Sequence, residues 1–499
     1  MKIFSAEQTH RTDQFTIENE PIASIDLMER AAGAFVNWFT DQYDSGRKVY
    51  VFCGTGNNGG DGLTASRILI KKGWQVMPFT VKASGNKSSN FEINLQLLQQ
   101  ITEVHNIEGE EDFQFEATSE DIIIDAIFGS GLARPVTGIF AHVIRSVNDS
   151  QAPVVSIDIP SGLFCDAHSE GGEVIQADHV VTFQMPKLTF FMPENSPFVG
   201  NWHVVDIGLS RTFIAKEPVN YYYLQQSYVQ RLLKTRDRFA HKTNYGRILL
   251  IAGSFGKMGA AILSTKACLR SGAGLVTAHV PGCGYDIMQM AVPEAMVSVD
   301  ANERYIFSVP DLNSYDTLGI GPGLDQHMDT YDALHKIFDK FKTPVVLDAD
   351  ALNIIASHKE LLEKIPEGSI LTPHPGEFKR LAGPLAHDFE RLEKQMAMSK
   401  EYKIFIVLKG HHTAISTPDG KVYFNSTGNP GMATGGSGDV LTGILTGLLG
   451  QGYLPGAAAV LGVYLHGLAG DLAAEMLGEE SLIASDIIDY LPDAFNELK

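Results

Sequence analysis

Short runs of β-branched and aliphatic residues recur along the first part of the chain: Lys48–Cys53 (KVYVFC), Asp121–Phe128 (DIIIDAIF), Pro153–Pro160 (PVVSIDIP) and Asp178–Phe183 (DHVVTF). Their apolar positions are continuous, which predicts strands buried on both faces, and the amphipathic stretches between them predict helices. Alternating strands and helices build βαβ units and a parallel sheet, whose ligands sit beyond the carboxyl ends of the strands. The glycine-rich turns of this region follow the strands, on that edge. The pattern changes after Asp206-Ile207-Gly208-Leu209, where a polar, aromatic stretch through Tyr221-Tyr222-Tyr223 leads into the basic segment Arg231–Lys242. A second series then begins at Gly246–Ser254 (GRILLIAGS), continues through Thr317–Gly323, Pro344–Asp350 and Ile404–Gly410, and ends in an Ala/Gly-rich helical region. We place a boundary near residue 215, giving two α/β domains over 1–215 and 225–499. No short-period repeat is visible, and the halves share no motif, so a fusion of unlike domains is expected.

Composition narrows the function. A chain of 499 residues with 44% apolar content exceeds one hydrophobic core. The formal net charge of −20 disfavours a nucleic-acid or anionic-membrane binder, while small anionic ligands remain open because local backbone donors can overcome a global field. Cys53, Cys165, Cys268 and Cys283 show neither CxxC nor metal spacing, and Met1–Arg30 lacks the basic stub and apolar run of a signal peptide. A reducing cytoplasm is expected. The apolar stretch Gly456–Gly470 follows Pro455 and contains His466, which predicts a buried helix and no membrane span.

Two groups of loops carry candidate chemistry. After the first strand comes Gly54-Thr55-Gly56-Asn57-Asn58-Gly59-Gly60-Asp61-Gly62, in which glycines let backbone approach a ligand and the following helix start offers amides to an anion. A tight turn capped by Asp61 explains the glycines equally well, but not the paired asparagines. Gly129-Ser130-Gly131-Leu132-Ala133-Arg134-Pro135 and Asp158-Ile159-Pro160-Ser161-Gly162 follow two further strands, which brings Asn58, Asp125, Asp158 and Ser161 to one sheet edge. Asp125 alone reads as a buried strand-end cap. In the second half, Asn429–Leu441 (NPGMATGGSGDVL) combines a bare backbone nest at Gly435, Gly436 and Gly438 with a helix start and with Asp439, placed to take a proton from an attacking hydroxyl. Lys409-Gly410-His411-His412-Thr413 can cradle a phosphate, Thr372–Glu377 presents His374 and Glu377, and Asp348-Ala349-Asp350 with Gly321-Pro322-Gly323 occupies equivalent strand ends. A GxxxxGK[ST] loop is absent, against a P-loop kinase.

The opening LMERAA (Leu27–Ala32), GTGNNGGDG, FGSGLARPVTG and IDIPSG together resemble the NAD(P)H-hydrate epimerase domain, of Rossmann-like three-layer α/β/α fold, over residues 1–215. The resemblance implies that Asn57 to Asp61, Gly129 to Pro135 and Asp158 contact the hydrated dinucleotide. It also implies that Asn58, Asp125 and Ser161 hold K⁺, a hard cation suited to oxygen ligands. Asp158 is the candidate acid/base group. HKTNYGRILLIAGS, GIGPGL, LDADALN, LTPHPGEF, LKGHHT and NPGMATGGSGDVL resemble the ADP/ATP-dependent NAD(P)H-hydrate dehydratases of the ribokinase-like superfamily over 225–499. That resemblance implies substrate contacts from Ala261, Gly323, His374 and Asp439, and adenine-nucleotide contacts from Lys409 to Thr413 and Gly438. Catalysis by Asp439, use of Mg²⁺ with ADP or ATP, and a homo-oligomer acting on small molecules follow from it too. Two rivals are a kinase of a small alcohol, which would leave a stable phosphorylated product, and an N-terminal domain that only binds, for which the polar loops would be needless.

Overall fold

The computed structural model describes residues 1–82, 87–110, 113 and 115–499. Its backbone divides into two compact units, Lys2–Val219 with His387–Phe389, and Met1 with Asn220–Ala386 and Glu390–Lys499. Residue 215 lies in the helix Arg211–Lys216, just ahead of that division.

In the first unit seven parallel strands, β1 (Lys48–Cys53), β2 (Gln75–Val81), β3 (His105–Ile107), β4 (Ile122–Ala126), β5 (Val154–Ile157), β6 (His179–Phe183) and β7 (Asn201–Val205), form one sheet in the order β3-β2-β1-β4-β5-β6-β7. The chain leaves β1 in one direction and β4 in the other. Right-handed crossovers then put the intervening helices on opposite faces and open a crevice between β1 and β4, where a doubly wound sheet binds its ligand. Burial follows the pleat: Val49, Val51 and Cys53 of β1 pack with Phe35, Phe39, Leu63, Leu69 and Phe91, whereas Phe52 turns to Phe79 and Phe115 on the other face.

The helix Asn57–Lys71 lies unusually close to this sheet because its first turn is nearly bare. A Cβ on Gly59 would stand 1.7 Å from Gly54 O, and one on Gly62 would stand 2.5 Å from Ala126 Cβ. Gly59→Ala is therefore expected to destabilise this unit by about 3 kcal/mol, since neither backbone can yield. A Cβ on Gly56 meets nothing within 4 Å, and Gly56→Ala should cost less than about 1 kcal/mol. Thermal unfolding of the two variants distinguishes them; equal midpoints would contradict this packing.

The second unit repeats the seven-strand order without repeating the motifs. Its strands are β8 (Tyr221–Tyr223), β9 (Arg247–Ile251), β10 (Leu275–Val280), β11 (Met296–Val299), β12 (Thr317–Ile320), β13 (Val346–Leu347), β14 (Ile370–Leu371), β15 (Phe405–Leu408), β16 (Ala414–Ser416) and β17 (Val422–Phe424). They are ordered β11-β10-β9-β12-β13-β14-β15-β16-β17-β8, and β16 alone runs antiparallel to its neighbours. The reversal point lies between β9 and β12. There Gly321, at φ 136°, brings the chain so near Asp348 O that a Cβ would stand 1.8 Å from it. One face is covered by the helices Ser437–Gly450, Pro455–Leu477 and Ala484–Glu497, the other by Met328–Lys340 and Ala349–Ser357. Pro455–Leu477 has the length and apolarity of a membrane span, yet 67% of its most apolar window is buried, with Leu461, Leu465 and Ala469 packed beside Ile444.

Candidate active sites on the two sheet edges

At the first crevice, the helix Asn57–Lys71 starts from Gly56 with no side-chain cap, and its first helical bond is Gly60 N–H to Gly56 O. The amides of Asn57, Asn58 and Gly59 lie ahead of that bond and point along the axis. Asn58 Nδ2 donates to Phe128 O at 2.9 Å, and a Cβ on Gly129 would touch the Asn58 side chain, so the loops after β1 and β4 are in contact. Asp125, at the end of β4, engages both carboxylate oxygens. Oδ1 accepts from Ser161 Oγ at 2.5 Å and Ile127 N–H at 3.3 Å, and Oδ2 accepts from Ser156 Oγ at 2.8 Å and Ser161 N–H at 2.9 Å. Ser161 Oγ in turn accepts from Phe128 N–H at 2.8 Å. Asn58, Asp125 and Ser161 therefore meet at one point through Phe128, with Asp125 acting as the buried strand-end clamp. Gly129 to Pro135 forms an open rim, mostly exposed.

Asp158 sits at the end of β5 with a left-handed backbone, φ 67°, a conformation aspartate tolerates better than most residues. It is buried. Its Oδ1 takes three donors: Lys187 Nζ at 2.9 Å, Thr182 Oγ1 at 3.1 Å and Phe183 N–H at 3.1 Å. Asp61 and Asp13 feel the same charge. Loss of hydration and repulsion from Asp158 and Asp13 hold the Asp61 carboxyl well above the usual range, and burial followed by repulsion from Asp158 pushes Asp13 up to about 7, against the pull of Lys187. Burial works against the Lys187 charge, but Asp158, Cys165 and Asp13 together hold its ammonium above the ordinary lysine range. A carboxyl paired with an ammonium, beside two others pushed upward by burial and mutual repulsion, is the arrangement that separates base from acid.

At the second crevice, Gly436 starts the helix Ser437–Gly450 from a left-handed backbone, φ 96°, again with no side-chain cap. The first helical bond is Val440 N–H to Gly436 O, which leaves the Gly438 and Asp439 amides to the opening. A Cβ on Gly438 would stand 3.3 Å from Lys409 Nζ and 3.5 Å from Asp348 Oδ2. Lys409 thus lies under the nest, paired with Asp348 Oδ1 at 2.9 Å and 3.9 Å from Glu377 Oε2. Asp348 Oδ2 accepts from Thr442 Oγ1 at 2.8 Å, and Asp350 is bound to Asp325 N–H and Lys257. Burial, with repulsion from Asp348 and Asp350 offset in part by Lys409, pushes Asp439 up to about 7. Beside it opens a cleft of about 610 Å³ lined by His374, Lys409, Gly410, His411, Thr413 and Gly438, among others.

The remaining expected residues divide. His374 does two things: it lines the cleft, and it caps the helix Pro375–Ala382, its Nδ1 accepting from Gly376 N–H at 3.0 Å while its backbone N–H donates to Glu377 Oε2 at 2.9 Å. The doubled histidines separate, His411 lining the cleft and His412 turned to Asn425 O at 3.2 Å, where burial lowers its pKa to about 4. Gly323 accepts from Ser254 Oγ at 2.7 Å on the other side of the crevice. Ala261 is 0% exposed and packs against Ala252, Met258, Ala278 and Val280, so its side chain faces core, not cleft.

Comparisons with known proteins agree across both halves. The family described as YjeF-related protein N-terminus matches residues 24–189, and that described as NAD(P)H-hydrate dehydratase matches 248–493. The bifunctional NAD(P)H-hydrate repair enzyme Nnr of Moorella thermoacetica is 37% identical over 516 residues, covering 100% of this chain and 97% of the relative. The chain belongs to the family of bifunctional NAD(P)H-hydrate repair enzymes. Its Escherichia coli relative is 31% identical over 500 residues, with 99% and 94% covered. The crystal structure of the ADP/ATP-dependent NAD(P)H-hydrate dehydratase of Bacillus subtilis, co-crystallised with ATP/Mg²⁺, superposes with a TM-score of 0.50 at 32% identity, covering 56% of this chain and 100% of that one.

In this repair-enzyme chain, three site residues escaped the motifs. Asp13 lies on the helix Ala6–Asn19 amid polar residues, Lys187 within an apolar stretch, and His466, whose Nε2 faces Ser437 O at 3.0 Å, within the helix Pro455–Leu477. Burial lowers His466 to about 4, so it is neutral behind the nest. Only His466 had a visible signal, a lone histidine in an apolar run.

Proposed function

We propose that the chain repairs hydrated NADH and NADPH, the first unit interconverting the R and S forms and the second dehydrating the S form at the expense of ADP or ATP. The observation that carries this reading is the pair of uncapped helix starts, Asn57–Gly59 and Ser437–Asp439, each opening at a sheet reversal point beside an Asp–Lys pair.

In the first unit, Asn57 to Asp61, Gly129 to Pro135 and Asp158 grip the dinucleotide. Epimerisation requires proton exchange or reversible opening at the hydrated carbon. Asp158 takes the proton and Asp61, held protonated, returns one. Asn58, Asp125 and Ser161 would hold K⁺: amide, carboxylate and hydroxyl, with the Phe128 carbonyl between them, suit a hard cation that screens charge in the crevice.

In the second unit, Gly323, His374 and Asp439 face the substrate, while Lys409 to Thr413 and Gly438 face the nucleotide; Ala261, whose side chain packs into the core, contributes to the substrate side through its backbone. Asp439 takes the proton of the substrate hydroxyl as its oxygen bonds to the terminal phosphorus. The bond to the nucleotide's leaving oxygen breaks, and the Gly438 nest with Lys409 stabilises the transferring charge. The ring's original carbon–oxygen bond, now carrying phosphate as its leaving group, then breaks to release inorganic phosphate, and loss of a ring proton restores the reduced nicotinamide. Mg²⁺ supplies neutralisation of the phosphate oxygens when bound. Four free thiols suit a reducing cytoplasm, and a homo-oligomer completes the reading by family analogy.

Incubating the purified protein with hydrated NADH, Mg²⁺ and either ADP or ATP should release one inorganic phosphate per NADH recovered. A stable phosphorylated product would favour a simple kinase instead. Because Asp439 must be ionised to act, kcat/KM for dehydration is expected to fall as pH drops through about 7. Asp348→Asn removes a repelling charge and frees Lys409 toward Asp439, so this limb should move to lower pH; an upward move would contradict the assignment.

A further inference from the structure

Lys187 lies between β6 and the short 3-10 turn Leu188–Phe191 and is completely buried. A lysine wholly out of water is rare and persists only against a partner. The partner here is a single oxygen, Asp158 Oδ1 at 2.9 Å, with a longer donation to Met185 O at 3.3 Å. Thr182 and Phe183 bind that same oxygen, whereas Oδ2 has no partner among the described residues. Two other buried carboxylates behave differently. Asp125 and Asp348 each engage both oxygens. Asp158 is instead pinned by one oxygen on a left-handed backbone, which fixes the carboxylate plane and leaves the second oxygen for a reactant. Of the titratable groups that face Asp158, Asp13 on Ala6–Asn19, Asp61 on Asn57–Lys71 and Cys165 are acids, and Lys187 is the cation.

We propose that Lys187 is a positioning residue for epimerisation, holding Oδ1 of Asp158 so that Oδ2 remains the charged, proton-accepting atom at the hydrated carbon. The inference rests on Asp158 being the acid/base group of the first unit. Removing the ammonium takes away the positive charge 2.9 Å from Asp158 Oδ1 that favours the ionised carboxylate, so the carboxylate should accept a proton at higher pH.

The test is the pH dependence of R-to-S interconversion in full-length Lys187→Met and Lys187→Gln, with dehydration of pure S substrate by the same preparations as control. In both variants kcat at neutral pH should fall about 30-fold or more with KM changed less than about threefold, and the acid limb should move up by more than about one pH unit. A purely structural role lowers the rate through the folded fraction and leaves the limb in place; an unmoved limb overturns the proposal whatever the rate. Lys187→Gln keeps a donor toward Asp158 and carries the same expectation if Lys187→Met does not fold. Asp158→Asn separates the two failures: if it still interconverts at the parent rate, the reading of Asp158 fails, whereas lost activity there with unmoved limbs in the Lys187 variants refutes Lys187 alone.

Discussion

Asp439→Asn is expected to lower dehydration about 1,000-fold and at the same time make the protein more stable. The rate loss follows from removing the base that takes the hydroxyl proton, a contribution commonly of that order. The gain in stability follows from the environment that makes Asp439 a useful base. Burial and repulsion from Asp348 and Asp350 outweigh Lys409 and push the carboxyl up to about 7. An acid whose folded pKa is raised resists ionisation in the native state, so the cost of its charge is absent below about pH 4, grows as pH rises and is fully present above about 7. Asparagine carries no such cost. After discounting for partial exposure, the difference is about 2 kcal/mol, or roughly 5 °C in Tm at pH 8, vanishing near pH 4. Tm against pH for the two proteins checks this. Parallel curves would mean that Asp439 is not held against its ionisation, and the base assignment would lose its physical support.

Asp158→Asn should abolish catalysed interconversion, by about 100-fold or more, and leave dehydration of pure S substrate at the parent rate. With an R/S mixture and a nucleotide donor, the variant should consume the S fraction quickly and the remainder only at the spontaneous rate of epimerisation. Chiral chromatography of the residual hydrate reads the outcome. Rapid loss of both forms would move the acid/base role to another residue, with Asp61 the first to examine because its carboxyl is held protonated beside Asp158.

How far the chain could be read without coordinates depended on whether a residue's task was local. KVYVFC, DIIIDAIF and GRILLIAGS were legible as strands because burial on both faces leaves an unbroken apolar run. The two-residue strand β13 lies within the apolar run Pro344–Asp350 that predicts it, whereas β14 carries too little pattern of its own and is marked only by the loop after it. The NNGGDG and TGGSGD turns stood out as ligand loops, but part of their glycine content has another cause. Gly59 and Gly62 are bare because a helix lies against the strands, and Gly54 because the backbone of Ile127 passes beside it, while Gly56 and Gly435 are the open ones. Long-range pairings were beyond sequence reasoning. Lys409 reads as a phosphate ligand, but its pairing with Asp348, 61 positions away, has no mark in the sequence, and neither has the burial of Lys187 against Asp158. Ala261 shows the reverse case, since its place in a motif does not reveal that its side chain packs into the core.

Whether one chain completes both steps of repair is decided by giving the purified wild-type protein an equilibrated mixture of R- and S-hydrated NADH with K⁺, Mg²⁺ and ADP or ATP. The reduced-nicotinamide absorbance should recover in full, at a rate set by enzyme concentration throughout. Rapid recovery of the S fraction followed by a slow phase that does not respond to added protein would show that the first unit does not epimerise, and absence of any recovery would contradict the account of both sites.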